Sequence, residues 1–222
     1  MGAGHAPTFF DFDGTLADTN LVHVYAFYAR HCGRLSSVAG RLANLAVLAP
    51  TFHLLDAYHR VDFARALFGL YRGMSRDRLE RLSEDLYAQV IEPRLMTYTA
   101  AFLETAREHG PLVLVTGAPD FSVAPFVRRF GFEGAIATRL EFRDGMATGR
   151  MLEPVVFGSN KGRLIREYAA ARGWDLEEAR AYADSASDQA MLGVVGRAGV
   201  VNPTTRLARI ARDYGWQILR LE

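Results

Sequence analysis

Apolar residues between Thr15 and Glu92 recur every three or four positions, without the alternation that is typical of a strand. This spacing places them on one face of a helix. One such face comprises Leu21, Val24, Tyr25, Tyr28 and Ala29. Further helices are predicted over Val38 to Ala49, Thr51 to Tyr71 and Arg76 to Val90. Ser75 precedes the last of these and is predicted to be its N-cap.

From Tyr98 onward, short apolar runs alternate with helical stretches, as they also do around the first run of the chain. Strands are predicted at Thr8 to Phe10, Pro111 to Gly117, Ala135 to Thr138, Arg180 to Ala183, Gly199 to Asn202 and Trp216 to Leu219. A hairpin at Asp144-Gly145 is predicted to join Arg139 to Phe142 with Met146 to Leu152. Helices are predicted at Tyr98 to His109, after Pro119-Asp120, at Ser159 to Arg172, from Met191, and at Thr205 to Tyr214.

Strands that alternate with helices predict a mostly parallel sheet with helices on both faces, an α/β fold. The helical region follows the first strand directly and interrupts this pattern. We therefore expect an α/β core domain formed by residues 1–16 and 97–222. The helices of residues 17–96 would be inserted into it as a cap domain.

Polar residues follow the carboxyl ends of three predicted strands. Asp11-x-Asp13 follows the first, Thr116-Gly117 ends the second, and Asp184 and Asp188 bracket the turn after the third. Asp11-x-Asp13 or Thr116-Gly117 alone also fits an ordinary turn, and helix capping could account for one of Asp184 and Asp188 but not comfortably for both. Ligands bind at this edge of open α/β sheets, so one site can collect all of these residues. Lys161 lies in the first turn of a predicted helix, where a lysine opposes the helix dipole and does not stabilise the helix. A functional role is therefore favoured, and Lys161 is predicted to join this site.

The chemistry of such a site is that of a metal and a phosphate. Four converging carboxylates would repel one another strongly without a cation, and Mg²⁺ prefers oxygen ligands. Lysine, a hydroxyl group and the N–H groups of Gly117 and Ala118 at a helix N-terminus suit a phosphoryl group. The inferred reaction is phosphoryl transfer, in which one Asp attacks phosphorus and a second moves protons.

Charge and composition bear on nucleic-acid binding, disulfide bonds, membrane insertion and location. A formal net charge of +1 over 222 residues gives no electrostatic case for binding nucleic acid. The single cysteine, Cys32, excludes an internal disulfide and is predicted to be a small buried helix residue. The chain contains no uninterrupted apolar window of about 18 residues, so no membrane span is predicted. Residues 1–7 lack the basic and long apolar regions of a signal peptide. We expect a cytoplasmic protein without stable membrane insertion, either monomer or dimer.

These motifs occur in the order and spacing of the haloacid dehalogenase (HAD) superfamily, which the chain resembles over nearly its whole length. The resemblance rests on Asp11-Phe12-Asp13-Gly14-Thr15, Thr116, Lys161 and Asp184-x-x-x-Asp188. It implies a HAD-like Rossmannoid core with a mostly parallel sheet flanked by helices, plus an all-helical type 1 (C1) cap. The hairpin from Leu140 to Leu152 and Val201-Asn202-Pro203 resemble subfamily IB, the phosphoserine-phosphatase-like branch.

The resemblance implies a catalytic role for each matching residue. Asp11 would be the nucleophile that forms an aspartyl-phosphate, and Asp13 the general acid and base. Thr116, Lys161 and the N–H of Gly117 would hold the transferring phosphoryl group. The implied enzyme is a phosphatase that hydrolyses a small-molecule phosphomonoester.

The resemblance also implies how Mg²⁺ would be held. Asp11 and Asp184 would be direct ligands through their carboxylates, and Asp13 through its backbone carbonyl. Asp188 would support the water shell of the metal or orient Lys161, and it counts among the catalytic residues for that reason.

The chain departs from true phosphoserine phosphatases at the substrate-facing positions. Asn20 stands where those enzymes carry the glutamate for the substrate amine, and Phe68 where they carry the arginine for its carboxylate, with Arg65 close by but out of phase. Two lost ionic partners weaken recognition, so phosphoserine is not the expected substrate. Ser187 replaces the usual asparagine before the last Asp and, like Asn20, is predicted to be near the substrate.

The cap is rich in apolar residues, for example from Leu42 to Leu48, and helix packing is the simplest explanation. If these residues instead line a substrate groove, the substrate has an apolar or aromatic part. Histidinol phosphate, a glycerol phosphate or a lysophospholipid-like ester are then candidates. Four cap histidines could contact such a substrate: His23, His31, His53 and His59.

Three other functions compete with the phosphatase. Phosphotransfer to an alcohol acceptor would use the same aspartyl-phosphate. A non-catalytic binding module would keep the fold, but it would not need Asp11, Asp13 and Lys161, which are all present. Haloalkanoate dehalogenases resemble the chain less, because they lack the second Asp and do not need Mg²⁺.

Overall fold

A computed structural model describes residues 6–32, 40 and 60–222. Its seven strands form one sheet in the order β4-β3-β2-β1-β5-β6-β7. The strands are β1 Thr8–Phe10, β2 Leu112–Pro119, β3 Gly134–Arg143, β4 Met146–Leu152, β5 Arg180–Ala183, β6 Arg197–Val201 and β7 Gln217–Leu219. Neighbouring strands are parallel apart from the antiparallel hairpin β3-β4. The mostly parallel α/β fold predicted from the sequence is thus confirmed.

Nine α-helices lie within the described residues. They are α1 Leu21–His31, α2 Arg60–Gly69, α3 Arg76–Arg81, α4 Ser83–Leu86, α5 Thr99–Arg107, α6 Asp120–Arg129, α7 Ser159–Ala170, α8 Gln189–Leu192 and α9 Thr205–Tyr214. A π-helical turn, Tyr87–Ile91, and two 3-10 turns, Glu92–Arg94 and Ala186–Asp188, complete the helical structure. Apart from Gly40, which is helical, the predicted helix from Val38 to Ala49 lies outside the described residues, as do most of the one from Thr51, His53 and His59.

The core has two parts, one on each face of the sheet. Successive side chains of a strand point to opposite faces, so Phe10 packs into one part and Phe9 into the other. All three residues of β1 are buried, as expected for a central strand that is covered on both sides. This strand ends immediately before Asp11, which places the candidate site at the middle of the sheet edge.

The structure corrects the prediction of one continuous helix from Arg76 to Val90. This segment is divided into α3, α4 and the π-helical turn. Ser83 lies at the division, where its hydroxyl donates to the carbonyl of Glu80 at 2.7 Å. A serine hydroxyl that bonds the backbone in this way offers an alternative to the regular helical ladder. Ser75 occupies the N-cap position, but its side chain makes no capping hydrogen bond.

The backbone of the predicted cap is hydrogen-bonded to the core. At the hairpin β3-β4, the N–H of Gly73 donates to the carbonyl of Ala147, and the N–H of Ala147 to that of Met74, both at 2.8 Å. At the connecting segments, the N–H of Met96 donates to the carbonyl of Leu16 at 3.0 Å. Backbone hydrogen bonds therefore join the described part of residues 17–96 to the core. The division into two domains stays a prediction.

Gly162 allows α7 to approach α8 closely. A Cβ atom at this position would lie 2.4 Å from the backbone carbonyl oxygen of Ala190. A Cβ atom and a carbonyl oxygen do not approach so closely, so a larger residue must push the two helices apart. Because Lys161 precedes Gly162 and Asp188 precedes α8, this contact also sets the distance between those two side chains.

We expect Gly162→Ala to lower both the melting temperature and the phosphatase activity, since overpacking costs about 1–3 kcal/mol. Gly69→Ala is the matched control, because a Cβ atom there would meet nothing within 4 Å. Differential scanning fluorimetry and phosphate release would be measured on both variants. Equal melting temperatures for the two would contradict the expectation.

Candidate active site

Asp11 is the first residue after β1, and the sheet continues through its backbone, whose N–H donates to the carbonyl of Tyr182 at 2.9 Å. The residue is 5% exposed. One carboxylate oxygen, Oδ1, lies 2.5 Å from the ammonium nitrogen of Lys161. The other, Oδ2, accepts a hydrogen bond of 3.2 Å from the hydroxyl of Thr15. Both oxygens of Asp11 are therefore held in place.

Lys161 lies between two carboxylates at the N-terminal end of α7. Its ammonium nitrogen is 2.5 Å from Asp11 and 2.6 Å from Asp188, and its side chain is 6% exposed. Burial lowers the pKa of Lys161, but the two carboxylates outweigh burial and hold the pKa above its ordinary value. The ammonium group therefore stays charged. Lys161 is also the only lysine among the 26 basic residues of the chain.

Asp184 reaches the site from the end of β5. Its carboxylate accepts a hydrogen bond of 3.3 Å from the same Thr15 hydroxyl that contacts Asp11. The carboxylate lies against Gly14, where a Cβ atom would come within 2.6 Å of it. Gly14 also has a φ of +87°, a conformation that favours glycine. Glycine is thus required at this position on two counts.

The three carboxylates suit a divalent cation. Asp11, Asp184 and Asp188 each offer an oxygen, and these three atoms lie within 4.8 Å of one another. When all three carboxylates are ionised, Lys161 offsets one of the three negative charges and leaves two. Burial raises the pKa of Asp11 to about 8, with Asp188 and Asp184 acting in the same direction against Lys161. A hard cation with oxygen ligands would supply the missing positive charge, so these residues fit Mg²⁺.

Asp13 lies beside this cluster. Its carboxylate accepts a hydrogen bond of 2.7 Å from the hydroxyl of Thr19, and the residue is half-buried. The carboxylate is thus fixed by a neutral partner at the more open side of the site. Its predicted roles, proton transfer and ligation of Mg²⁺ through the backbone carbonyl, stay predictions.

Thr116 is buried at the end of β2, and its hydroxyl oxygen accepts a hydrogen bond of 3.0 Å from the N–H of Ala118. The hydroxyl proton remains available to a phosphoryl oxygen. The Ala118 N–H is occupied, and α6 begins only at Asp120, so the prediction of Ala118 as an anion donor at a helix N-terminus is wrong. The reason is that β2 continues through a bulge to Pro119.

Gly117 lies against the ring of Phe157, which the sequence did not single out. A Cβ atom at Gly117 would lie 2.3 Å from this ring. The ring thus covers the strand end beside Thr116 and just ahead of α7. The predicted role of the Gly117 N–H stays a prediction.

The two remaining predicted site residues have local partners. Asn20 is the N-cap of α1, and its side-chain oxygen accepts from the N–H groups of Val22 and His23, each at 3.0 Å. The hydroxyl of Ser187 donates to Asp188 at 3.1 Å. Ser187 therefore helps to orient the carboxylate that pairs with Lys161. Contact of either residue with substrate stays a prediction.

The cap residues that were compared with the phosphoserine phosphatases lie in different environments. Phe68 is fully buried in the core that the cap shares with the sheet. Arg65 is 58% exposed and pairs with Asp62 at 3.2 Å. His23 has a buried Nδ1 atom with no hydrogen-bond partner among the described residues. The Nδ1 atom of His31 donates to the carbonyl of Phe27 at 2.8 Å.

Comparison with known proteins identifies the family. Residues 8–193 match the haloacid dehalogenase-like hydrolase family, which is most of the chain. The protein belongs to this family. Its relatives in this family include phosphatases, so the chain is a HAD phosphatase. Mg²⁺ dependence and an aspartyl intermediate are general in the family.

Individual relatives agree with this assignment. Phosphoserine phosphatase SerB1 of Mycobacterium tuberculosis H37Rv is 33% identical over 96% of this chain and 70% of its own length. The histidinol-phosphatase of Neisseria meningitidis is 25% identical over 96% of this chain and 97% of its own. A protein of unknown function from Bordetella pertussis Tohama I has a similar structure, with a TM-score of 0.82, 27% identity and coverage of 99% of this chain and 100% of its own.

In the part of the chain that the structure describes, no helix has the length and apolar character that crossing a membrane requires.

Proposed function

We propose that this HAD phosphatase is a Mg²⁺-dependent phosphomonoesterase that works through a phosphorylated Asp11. The supporting observation is the position of the Asp11 carboxylate. It is buried, fixed by Lys161 at 2.5 Å and Thr15 at 3.2 Å, and lies in a cluster of three carboxylates within 4.8 Å. A nucleophile held rigidly beside a permanent positive charge suits attack on a phosphoryl group.

The first half of the reaction would transfer the phosphoryl group to the protein. An oxygen of Asp11 forms a bond to phosphorus as the bond from phosphorus to the ester oxygen breaks. Asp13 donates a proton to that leaving oxygen and releases the alcohol. Lys161 and the hydroxyl of Thr116 bind the phosphoryl oxygens and stabilise their negative charge.

The second half would restore the protein. Asp13, now ionised, takes a proton from water as the water oxygen attacks phosphorus, and the bond to Asp11 breaks to release inorganic phosphate. Asp188, aligned by Ser187, keeps Lys161 in position throughout. Mg²⁺, held by Asp11, Asp184 and the backbone carbonyl of Asp13, would offset the charge on the phosphoryl oxygens when bound.

The substrate is proposed to be a small phosphomonoester other than phosphoserine. The two side chains at the positions that recognise the charges of phosphoserine are a neutral helix cap, Asn20, and a buried Phe68. Neither can form an ion pair. The nearby Arg65 is already paired with Asp62. Phosphoserine remains an essential comparison, because SerB1 bears the name of that activity.

Histidinol phosphate is the most specific alternative substrate, since the histidinol-phosphatase of Neisseria meningitidis aligns with nearly the whole chain. Glycerol phosphates and lysophospholipid-like esters complete the set. Phosphotransfer to an alcohol uses the same intermediate and differs only in the acceptor of the second half-reaction. A cytoplasmic location stays a prediction.

The test is phosphate release from a panel of phosphomonoesters, measured with Mg²⁺ and with EDTA. The panel contains phosphoserine, histidinol phosphate, glycerol phosphate, a lysophosphatidate and p-nitrophenyl phosphate. We expect release that requires Mg²⁺ and a kcat/KM for phosphoserine below that of the best ester. Addition of glycerol as acceptor separates the two enzyme activities, because a transferase would form glycerol phosphate in place of inorganic phosphate. Inactivity on every ester in the presence of Mg²⁺ would contradict the proposal.

A further inference from the structure

The two segments that connect residues 17–96 to the core are joined to each other by backbone hydrogen bonds beside the candidate active site. The N–H of Asp18 donates to the carbonyl of Arg94 at 2.7 Å, and the N–H of Met96 donates to the carbonyl of Leu16 at 3.0 Å. The second connecting segment is therefore the immediate neighbour of the loop that follows Asp11 and Asp13.

Tyr98, two residues beyond Met96, bonds this loop at Thr15. Its hydroxyl donates to the backbone carbonyl of Thr15 at 2.9 Å. The side-chain hydroxyl of the same threonine lies 3.2 Å from Asp11 and 3.3 Å from Asp184. Thr15 thus connects Tyr98, through its backbone, to two of the three carboxylates that suit a cation.

The surroundings of Tyr98 place its phenol close to the site. The side chain is half-buried, and its ring packs edge-on against Phe102 with centroids 6.4 Å apart. Burial raises the pKa of Tyr98, a hydrogen bond with Asn202 opposes this, and the Asp184 carboxylate adds to it. Tyr98 is therefore within electrostatic reach of Asp184, although it does not line the cluster of carboxylates itself.

We propose that Tyr98 is a positioning residue of the active site. By holding the carbonyl of Thr15, it keeps the Thr15 hydroxyl between Asp11 and Asp184 and so sets the spacing of the oxygens that would receive Mg²⁺. This inference rests on the proposed function for the identity of the cation. Residues that orient metal ligands in this indirect way contribute about 10- to 100-fold to metal affinity or activity.

The test compares Tyr98→Phe with Tyr182→Phe. Both remove one phenol oxygen from a ring that packs against Phe102, at 6.4 Å and 4.9 Å respectively. The Tyr182 hydroxyl has no hydrogen-bond partner in the described part of the chain, which makes it the matched control. Isothermal titration calorimetry measures Mg²⁺ binding without substrate, and turnover of p-nitrophenyl phosphate gives kcat and KM.

We expect Tyr98→Phe to weaken Mg²⁺ binding and lower kcat by about tenfold each. The KM for the ester and the melting temperature should match those of Tyr182→Phe, because neither phenol contacts the ester or carries the fold. Equal Mg²⁺ affinities for the two variants would overturn the inference. A lower melting temperature in both variants that accounts for the loss of kcat would also overturn the inference.

A second measurement separates this inference from the proposed function. Amide hydrogen exchange of residues 14–17 is followed in metal-free protein, where Tyr98→Phe should exchange faster than Tyr182→Phe because the loop has lost an anchor. If the wild-type protein binds no Mg²⁺, the proposed function fails. The exchange comparison still decides whether Tyr98 fixes the loop: faster exchange supports that role, and unchanged exchange overturns it.

Discussion

Replacement of Asp11 by asparagine should reduce phosphate release by at least about 10⁴-fold, the scale seen when a covalent nucleophile is removed. The amide nitrogen is a poor nucleophile, and the remaining carbonyl oxygen carries little negative charge. The protein should still fold, because asparagine has nearly the same shape. Its oxygen can accept from Lys161 at the position of Oδ1, and its amide group can donate to the hydroxyl of Thr15.

The measurement combines turnover with detection of the intermediate. Wild-type protein is mixed with the best ester, quenched in acid, and analysed by mass spectrometry for an added phosphoryl group, which Asp11→Asn should lack. Asp144→Asn is the matched control. This aspartate is exposed at the hairpin turn with a φ of 49°, a conformation that asparagine adopts readily. Substantial turnover or phosphoryl labelling of Asp11→Asn would exclude Asp11 as the nucleophile.

Replacement of Lys161 by methionine should have the second largest effect, on both stability and activity. Methionine keeps much of the volume but leaves the buried carboxylates of Asp11 and Asp188 without their cation. Breaking a buried ion pair in this way costs about 3–5 kcal/mol of the free energy of unfolding. The loss of a group that stabilises the phosphoryl oxygens should lower kcat by about 10²- to 10³-fold.

The control for Lys161→Met is a substitution in the same helix. Arg163→Met also removes a cation from α7, but Arg163 is 50% exposed and pairs with Glu167 at the surface. Exposed pairs of this kind contribute only about 0–1 kcal/mol. Urea unfolding is measured in EDTA and again with Mg²⁺. We expect Mg²⁺ to recover part of the stability of Lys161→Met, since it restores positive charge near the same carboxylates. A stability equal to that of Arg163→Met would show that the buried pairs contribute little.

The convergence of Asp11, Lys161, Asp184 and Asp188 could be predicted because it follows from one general rule. Parallel strands present their carboxyl ends at a common edge, and each of these residues either follows a strand or opens a helix. The bounds of β5 and α9 match the predicted segments for a similar reason. Asp184 follows β5, Thr204 and Gly215 flank α9, and apolar spacing within each element is regular.

Other parts of the site depend on contacts between distant segments, which spacing along the chain does not encode. Gly14 is an ordinary turn residue in the sequence, although its positive φ could have been anticipated from the Asp-Gly pair. Its second requirement, the approach of Asp184, appears only when β1 and β5 are adjacent. Contacts of Phe157 with Gly117 and of Tyr98 with Thr15 are equally long-range.

The prediction for Ala118 failed for a local reason. The sequence Thr116-Gly117-Ala118-Pro119 ends a strand and precedes a helix, so its N–H groups were expected to face an anion. The pairing of β2 with β3 resumes at Pro119 after a bulge, and the Thr116 hydroxyl satisfies the Ala118 N–H within that bulge. Side-chain competition for a backbone donor is common for threonine, but the sequence does not show which donor it takes.

The unusual basic composition of the chain has a consequence for its chemical fate. Acylation, carbamylation and glycation of lysine require a free ε-amine, and this protein has one such amine, on Lys161. That amine is protonated and enclosed by two carboxylates, with 6% of its side chain exposed. The native fold therefore protects the chain from lysine-directed damage, while any molecule that is acylated or carbamylated on Lys161 has lost the positive charge that holds the carboxylate of Asp11 in place.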